Sequence, residues 1–224
     1  MNDYIISAKN LNKTYQIVNI NTVAINNISL NVNKGDFTAI MGPSGCGKST
    51  LLNILGLLDS PTKGEYFFLG EEVSGLKEGI RSKIRKGNIG FIFQNFNLIE
   101  SMTVFENIEL PLMYLKVNSR ERKKKINNIL EYMDIQNLLN RYPFQLSGGE
   151  QQRVSLSRAI VFEPNLILAD EPTGNLDNKN SHKIMQLLTQ INNKGITIVL
   201  VTHELECSKY CKEIINILDG NLVQ

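Results

Sequence analysis

The sequence predicts an α/β fold that combines a parallel sheet, a β-rich segment near its start and an inserted helical segment. Two continuous apolar runs, at residues 166–170 and 197–201, are bounded by polar residues, which is typical of strands buried on both faces of a parallel sheet. A third run, at residues 36–41, leads through a glycine-rich loop into an apolar helix at residues 48–58. Between residues 94 and 158 the spacing becomes helical. The apolar residues that show this spacing are Ile126, Ile129, Leu130 and Met133.

The other elements follow from shorter patterns. Residues 4–8 and 28–32 are apolar or alternating runs separated by Asn, Lys and Gly, which predicts strands and turns. Residues 64–70 begin and end with glycine and predict another strand. Residues 179–191 predict a helix between the two late strands, and residues 218–221 predict a hairpin.

The length and apolar content predict one compact domain. A chain of 224 residues with 42% hydrophobic residues can bury a sizeable core. We expect a core formed by residues of about 1–93 and 159–224, with a helical subdomain at about 94–158 inserted into it.

The composition excludes several classes of function. The 24 basic and 22 acidic residues leave a formal net charge of +2, whereas a nucleic-acid-binding domain needs a basic excess, so we expect no nucleic-acid partner. Three cysteines are too few for a disulfide framework, and the chain does not begin with a basic segment before an apolar core, so we expect a cytoplasmic location. The most apolar runs are shorter than the roughly 20 residues of a membrane span, so any membrane role requires a partner chain.

A phosphate-binding loop is the first motif that carries chemistry. The pattern G-x-x-x-x-G-K-[ST] lies between the predicted strand and helix, and this setting argues against a chance glycine-rich turn. Its residues are Gly42, Pro43, Ser44, Gly45, Cys46, Gly47, Lys48, Ser49 and Thr50. The glycines let backbone N–H groups converge on phosphate oxygens, Lys48 reaches the β- and γ-phosphates, and the Ser49 hydroxyl faces Mg²⁺. The loop alone predicts only a nucleoside triphosphatase.

Two later motifs add a second phosphate-binding surface and a pair of carboxylates. Ser147, Gly148 and Gly149 open a predicted helix, so the hydroxyl, the amides and the helix dipole can bind phosphate; a plain helix cap is the alternative. Asp170 ends a buried strand, where a carboxylate needs a cation, and we expect it to bind Mg²⁺ through water. Glu171 is the candidate general base that activates water for attack on the γ-phosphate.

These motifs closely resemble the ATP-binding cassette (ABC) ATPase family. The resemblance rests on LSGGEQQR at residues 146–153 and LILADEPTGNLD at residues 166–177, and it covers essentially the whole chain. The residues of both motifs, together with ENIELPL at residues 106–112, are similar to those of the macrolide-exporter and lipoprotein-releasing subfamily. The resemblance implies a RecA-like phosphate-loop NTPase core with an N-terminal antiparallel β subdomain and an inserted helical subdomain.

The resemblance also implies roles for residues whose types alone are uninformative. Gln94 is similar to the coupling glutamine, which meets the metal and the attacking water, and His203 is similar to the histidine that contacts the γ-phosphate. Tyr15 resembles the aromatic residue that stacks on adenine, although Tyr4 is another candidate. Glu150 completes the signature loop that contacts the nucleotide, at a position where the family usually has Gln.

The partners follow from the same resemblance. In the family, the signature loop of one subunit covers the γ-phosphate bound by the other, which implies an ATP-dependent head-to-tail homodimer. An integral membrane permease would hold the chain at the cytoplasmic face of the cell membrane. We expect an ATPase that powers an exporter or extractor of peptides, lipoproteins or amphipathic drugs.

Two alternatives belong to other functional classes. A cell-division ATPase, which signals mechanically without transport, has similar motifs, and the motifs do not separate the two. A DNA-repair or ribosome-acting ABC protein would need a long coiled-coil insertion or two cassettes, and this sequence shows neither.

Two further features are not assigned to the site. His203, Cys207 and Cys211 have helical spacing, but zinc normally requires four ligands. The basic run at residues 120–125 predicts a solvated helix face, with contact to lipid head groups or a partner as the alternative.

Overall fold

The computed structural model describes residues 4–17 and 20–223. It has the predicted α/β arrangement, with two sheets and a helical segment. The strands are β1 (Tyr4–Ile17), β2 (Ile20–Asn33), β3 (Phe37–Met41), β4 (Lys63–Phe68), β5 (Glu71–Glu72), β6 (Ile89–Phe93), β7 (Leu166–Asp170), β8 (Thr197–Thr202), β9 (Glu213–Leu218) and β10 (Asn221–Val223). The helices are α1 (Lys48–Leu55), α2 (Glu78–Arg85), α3 (Val104–Tyr114), α4 (Ser119–Tyr132), α5 (Gly148–Ile160), α6 (Asn178–Asn192) and α7 (Leu205–Ser208), with short 3-10 helices at Gln136–Leu138 and Pro143–Gln145.

The larger sheet has the strand order β10-β9-β3-β8-β7-β6. The pairs from β9 to β6 are parallel, and β10 forms an antiparallel hairpin with β9. The smaller sheet is antiparallel, with the order β2-β1-β4-β5. The N–H of Asn26 on β2 donates to the carbonyl of Gly220 in the β9–β10 turn at 2.8 Å, so a backbone hydrogen bond links the two sheets.

The central strands are buried on both faces because each face packs against a different hydrophobic cluster. On β7, Leu166 and Leu168 pack with the small sheet and α1, whereas Ile167 and Ala169 pack with the helical segment and α6. This alternation follows from the two-residue period of a strand. It also explains why an uninterrupted apolar run, rather than an alternating one, marks these strands in the sequence.

The small sheet is more extensive than the sequence predicts. Strands β1 and β2 each have 14 residues, whereas their apolar runs cover only about five each. The extra length is rich in Asn and Lys, and it is held by the antiparallel ladder, with register shifts such as the one between Ala8 and Leu11. Pairing across strands therefore extends them through residues that have low strand propensity.

Helix α1 ends at Leu55, three residues earlier than predicted. Gly56 caps the helix, and Leu57 follows in the left-handed region with φ of 58°. The carbonyl of Leu55 accepts a hydrogen bond from the buried Tyr66 hydroxyl at 2.7 Å, so a side chain of β4 satisfies a carbonyl at the end of the helix.

The helical segment packs on the larger sheet through α5, which contacts β6; α3 packs on α5, and α4 packs on α3. Side-chain caps mark its helix starts: Thr103 forms a capping box with Glu106 on α3, and Asn118 caps α4. Pro111 lies inside α3 and is followed by a helix end at Tyr114. In the part of the chain that the structure describes, no helix combines the length and the apolar character needed to cross a membrane.

The buried strands make a stability prediction. Leu168 on β7 is fully buried, so Leu168→Ala should remove packing from the core and lower the free energy of unfolding by about 2–5 kcal/mol. Leu205→Ala is the control, because Leu205 is 72% exposed and its truncation should change stability by under about 0.5 kcal/mol. Urea unfolding of both variants measures this difference. Similar losses for both would contradict the placement of Leu168 in the core.

Candidate functional site

The carboxyl ends of four strands meet at one edge of the larger sheet. Phe93 at the end of β6 pairs with Asp170 of β7, which pairs with Val201 of β8, and Met41 of β3 pairs with Thr202. The polar residues that follow these ends therefore lie along one edge. They are the phosphate-binding loop after β3, Gln94 after β6, Glu171 after β7 and His203 after β8. In open α/β sheets, ligands bind at this edge.

The loop at residues 42–50 connects β3 to α1 with conformations that require glycine. Gly47 is the N-cap residue of α1 with φ of 100°, and a Cβ there would lie 2.3 Å from the carbonyl oxygen of Ala24. No side chain caps α1, so the N–H groups of its first turn are free to bind an anion. Pro43, Ser44 and Gly45 are exposed at the tip of the loop, whereas Cys46 is buried beneath it.

Lys48 lies against this loop. Its Nζ donates to the carbonyl oxygens of Gly42 and Pro43, both at 2.8 Å, and only 6% of the residue is exposed. The ammonium group is thus held within the curve of the loop, where phosphate oxygens would add to its partners. Ser49 and Thr50 follow in the first turn of α1.

Ser49 and Asp170 form a pair of oxygen ligands between the loop and β7. The Ser49 hydroxyl donates to Asp170 Oδ1 at 3.4 Å. Burial raises the pKa of the Asp170 carboxyl, and the nearby charge of Glu171 raises it further, while Ser49 and Lys48 oppose this rise. A desolvated carboxylate beside a hydroxyl is the donor set that Mg²⁺ prefers, and a dication would hold the carboxylate ionised.

Glu171 contacts His203 across the ends of β7 and β8. The distance between His203 Nδ1 and Glu171 Oε1 is 2.9 Å. An ionised carboxylate can only accept hydrogen bonds, so this contact places a proton on Nδ1 whenever Glu171 is ionised. The His203 side chain is 57% exposed and that of Glu171 is 23% exposed, so both can be reached from solvent.

Gln94 contacts the loop that follows Glu171. Its Nε2 donates to Asn175 Oδ1 at 3.4 Å, and Asn175 Nδ2 donates to the backbone carbonyl of Gln94 at 3.0 Å. A Cβ on Gly174 would lie 2.7 Å from Gln94 Nε2, so any larger residue at this position would require the amide to move. The structure therefore pairs Gln94 with Asn175.

The signature residues form the start of α5. Ser147 is its N-cap residue and forms a capping box with Glu150: the Ser147 N–H and hydroxyl both donate to Glu150 Oε2 at 2.8 Å. Both bonds lower the pKa of Glu150, and the bond from the N–H has the larger effect. Gly149 is buried, and a Cβ there would lie 2.7 Å from Asn180 Oδ1 on α6. Gly148 faces Leu176, with 3.5 Å between that side chain and a Cβ built on it.

Tyr15 and Tyr4 lie at opposite ends of β1. Tyr15 pairs with Thr22 and Tyr4 with Asn33, and eleven residues of strand span up to roughly 35 Å. The phenol of Tyr15 donates to Asp59 Oδ2 at 3.0 Å and also interacts with the side chain of Thr50 in the phosphate-binding loop. Tyr15 is therefore the candidate near the loop.

Two residues that contact the site, Gln152 and Arg158, were not marked by any sequence pattern. Gln152 Nε2 on α5 donates to the carbonyl of Pro172 at 2.7 Å, directly after Glu171. The guanidinium of Arg158 donates to the carbonyls of Asn97 at 2.7 Å and Phe96 at 3.0 Å, in the turn that follows Gln94. These partners are 20 to 62 residues apart in sequence, and no local pattern marks them.

Comparison with known proteins identifies the family. The family model described as "ABC transporter" matches residues 25–174, which is more than half of the chain. The chain belongs to this ABC transporter family. Its core is thus that of an ATP-binding cassette, and the chain is an ABC ATPase that binds ATP.

Relatives of this ABC ATPase match nearly its whole length. It is 49% identical over 219 residues to an uncharacterized ABC transporter ATP-binding protein, MJ1508, of Methanocaldococcus jannaschii, covering 98% of both chains. It is also 44% identical over 218 residues to the macrolide export ATP-binding/permease protein MacB of Chlorobaculum tepidum. That match covers 97% of this chain but only 33% of MacB. The subfamily resemblance is thereby confirmed.

A solved structure agrees with the fold. The ATP-binding cassette MJ0796, in a dimeric post-hydrolysis state bound to ADP and Pi, superposes with a TM-score of 0.91 at 42% identity. The superposition covers 98% of this chain and 97% of that one. The predicted fold class, an α/β cassette with an antiparallel β subdomain, is confirmed.

The capping box of α5 predicts a pH signature. A lowered Glu150 pKa means that the ionised carboxylate stabilises the folded state above the ordinary Glu value of about 4.3, and that this contribution is lost as the pH falls through the lowered value. Glu150→Gln should therefore lower the free energy of unfolding at pH 7, by at most about 1 kcal/mol because the site is solvent-screened.

The difference in the free energy of unfolding between the Glu150→Gln variant and the wild type should disappear as the pH falls below the lowered pKa of Glu150. Urea unfolding from pH 7 downward measures it. Glu106→Gln, in the capping box of α3, is the matched variant, because Thr103 lowers the pKa of Glu106 in the same way. A difference that stays constant with pH would show that ionised Glu150 does not stabilise the cap.

Proposed function

We propose that this ABC ATPase hydrolyses MgATP at the sheet edge described above and drives a membrane exporter or extractor. One observation carries the proposal: the residues that the chemistry needs lie side by side along one row of strand ends. They are Lys48, Ser49, Asp170, Glu171 and His203. Charge neutralisation, metal binding and proton transfer each have a residue there, as phosphoryl transfer requires.

The proposed nucleotide contacts run from the base to the γ-phosphate. Tyr15 stacks on adenine, the loop at residues 42–50 wraps the phosphates with its N–H groups, and Lys48 binds the β- and γ-phosphates. The Ser49 hydroxyl and the Gln94 amide oxygen, with the Asp170 carboxylate acting through water, would hold Mg²⁺. The ion, when bound, neutralises charge on the phosphate oxygens.

The proposed hydrolytic step depends on Glu171 and His203. Glu171 accepts a proton from the water that attacks the γ-phosphate. His203 Nδ1 donates to the Glu171 carboxylate across 2.9 Å and restrains it, and Nε2 can donate to the γ-phosphate when the imidazole carries a proton on both nitrogens. Gln94 orients the water from the β6 side, and its bond to Asn175 links it to the loop that follows Glu171.

We infer that two chains close head to tail around ATP. The Ser147 hydroxyl, the first amides of α5 and Glu150 form the surface that would cover the partner's γ-phosphate. Helix dipole and amides suit an anion at this position. The dimeric MJ0796 structures, one of them bound to ADP and Pi, support this arrangement.

The membrane partner is proposed to be an integral permease that holds the chain at the cytoplasmic face of the cell membrane. An apolar groove beside β6 and α3 offers a surface for it, lined by Phe91, Pro111, Tyr114 and Phe162. Tyr114 is 66% exposed, and such a contiguous apolar surface typically marks an interaction site. The relatives named for macrolide export favour transport over the cell-division alternative.

The Glu171→Gln variant tests the proposal. Gln keeps the size of Glu but cannot accept a proton, so turnover should fall by about 10²- to 10⁴-fold while MgATP binding persists. Uncleaved ATP should then hold two chains together. We expect a dimer with ATP and a monomer with ADP in size-exclusion chromatography, with phosphate release measured in parallel.

The dimer surface is tested by a second substitution in the same background. Ser147→Arg should abolish the ATP-dependent dimer by obstructing the surface for the opposing γ-phosphate, whereas Ser101→Arg, at an exposed turn before α3, should leave it intact. Near-normal turnover of Glu171→Gln would eliminate Glu171 as the base. An oligomer that does not depend on ATP would count against the nucleotide sandwich.

A further inference from the structure

The phenol of Tyr15 is anchored to the C-terminal end of the phosphate-loop helix. Its hydroxyl donates to Asp59 Oδ2 at 3.0 Å. Asp59 follows α1, and its own N–H donates to the carbonyl of Asn53 at 3.2 Å, so the carboxylate is fixed to the helix that begins with Lys48. The position of the Tyr15 ring is thereby tied to the element that also positions the phosphate-binding loop.

Lys13 completes this arrangement from the same strand. Lys13 and Tyr15 are two residues apart on β1, and their side chains contact each other although the register of the ladder shifts between Lys13 and Thr14. Lys13 Nζ donates to Asp59 Oδ1 at 2.6 Å and to the carbonyl of Ser60 at 2.8 Å. The same ammonium lies over the Tyr15 ring, 4.9 Å from its centroid, as a cation–π contact. One face of the ring is therefore covered by a cation, and a flat base can stack only on the other face.

The positive charge of Lys13 and the negative charge of Asp59 compensate each other. Burial opposes ionisation of Asp59, but hydrogen bonds from Lys13, the Ser60 N–H and Tyr15 hold its pKa below the ordinary value. Burial and the bond to Asp59 raise the pKa of Tyr15, so the phenol stays protonated and remains a donor. The Lys13 side chain is only 13% exposed, which keeps its ammonium on the carboxylate.

We propose that Asp59 and Lys13 are positioning residues that hold the Tyr15 ring with a single open face, and that the affinity of the site for the adenine of ATP depends on them. This inference rests on the proposed function, in which Tyr15 stacks on adenine. A ring that is already oriented loses little freedom when the base binds, so its stacking contributes more to affinity. Removing either anchor leaves the ring present but free to rotate away.

The test separates binding of the base from binding of the phosphates. Affinities for ATP and for inorganic triphosphate, both with Mg²⁺, are measured by calorimetry on the full chain. Tyr15→Ala should weaken ATP binding by about 5- to 150-fold, the range for losing one stacked base, and leave triphosphate binding unchanged. Asp59→Ala and Lys13→Met should each weaken ATP binding by a smaller factor, of about 3- to 10-fold, again without changing triphosphate binding.

A double-mutant cycle checks that Asp59 acts through the phenol. Tyr15→Phe keeps the ring but removes the hydroxyl, so Asp59→Ala should cost much less ATP affinity in the Tyr15→Phe background than in the wild type. Asp59→Asn is the conservative variant, since its amide oxygen can still accept from Tyr15, and it should retain most of the affinity. Glu163→Ala is the control, because it breaks an ion pair with Lys125 at 2.8 Å elsewhere on the surface and should change neither affinity.

The outcomes are distinguishable. If Tyr15→Ala weakens ATP binding but Asp59→Ala and Lys13→Met do not, the positioning role is overturned while the stacking role of Tyr15 stands. If Tyr15→Ala has no effect on ATP affinity, the stacking role fails and this inference fails with it. If the Asp59 and Lys13 variants weaken ATP and triphosphate equally, the two residues support the phosphate-binding loop and the inference is overturned. Should Asp59→Ala not fold, Lys13→Met and Tyr15→Phe still decide between these results, because each removes one of the bonds to Asp59 and should weaken ATP binding without changing triphosphate binding.

Discussion

The parallel register of β6, β7, β8 and β3 is the constraint on which the rest of the structure depends. Because Phe93, Asp170 and Val201 pair in one row, the residues after each strand emerge side by side, although they are distant in sequence. A shift of one residue in any pair would turn every side chain of that strand to the opposite cluster. The alternation of Leu166 and Leu168 with Ile167 and Ala169 between two hydrophobic clusters opposes such a shift, so core packing also sets the geometry of the site.

Helix α5 extends this constraint to the signature surface. At its start Ser147 is locked by the capping box, in its middle Gln152 holds the carbonyl of Pro172, and near its end Arg158 holds the turn after Gln94. Gly90 allows the close packing of α5 on β6, since a Cβ there would lie 2.4 Å from the carbonyl oxygen of Ala159. A displacement of the signature loop along α5 must therefore move or break bonds to the loops that carry Glu171 and Gln94.

The sequence was most informative where function requires neighbouring residues. The phosphate-binding loop, the Asp170–Glu171 pair and the buried strands are contiguous patterns, and they predicted the fold class and the motifs at the sheet edge. Contacts between distant residues were not predictable: Lys13 meets Asp59 over 46 residues and Gln94 meets Asn175 over 81. Helix α2 was also missed, because it has no buried residues and hence no apolar period; ion pairs of Glu78 with its two arginines hold it instead.

Glu171 shows how such distant contacts can maintain an unfavourable local conformation. Its φ of 45° lies in the left-handed region, which for a residue other than glycine costs of order 1–3 kcal/mol. Its N–H donates to the carbonyl of Val201 at 2.9 Å, its carbonyl accepts from the N–H of Gly174 at 3.1 Å, and its carboxylate is held by His203. The backbone is thus fixed on both sides of Cα by strands and turns that form for other reasons. From this turn the carboxylate reaches His203, which follows β8. The conformation persists because these bonds restrain it, and the sequence Asp-Glu-Pro alone would not predict it.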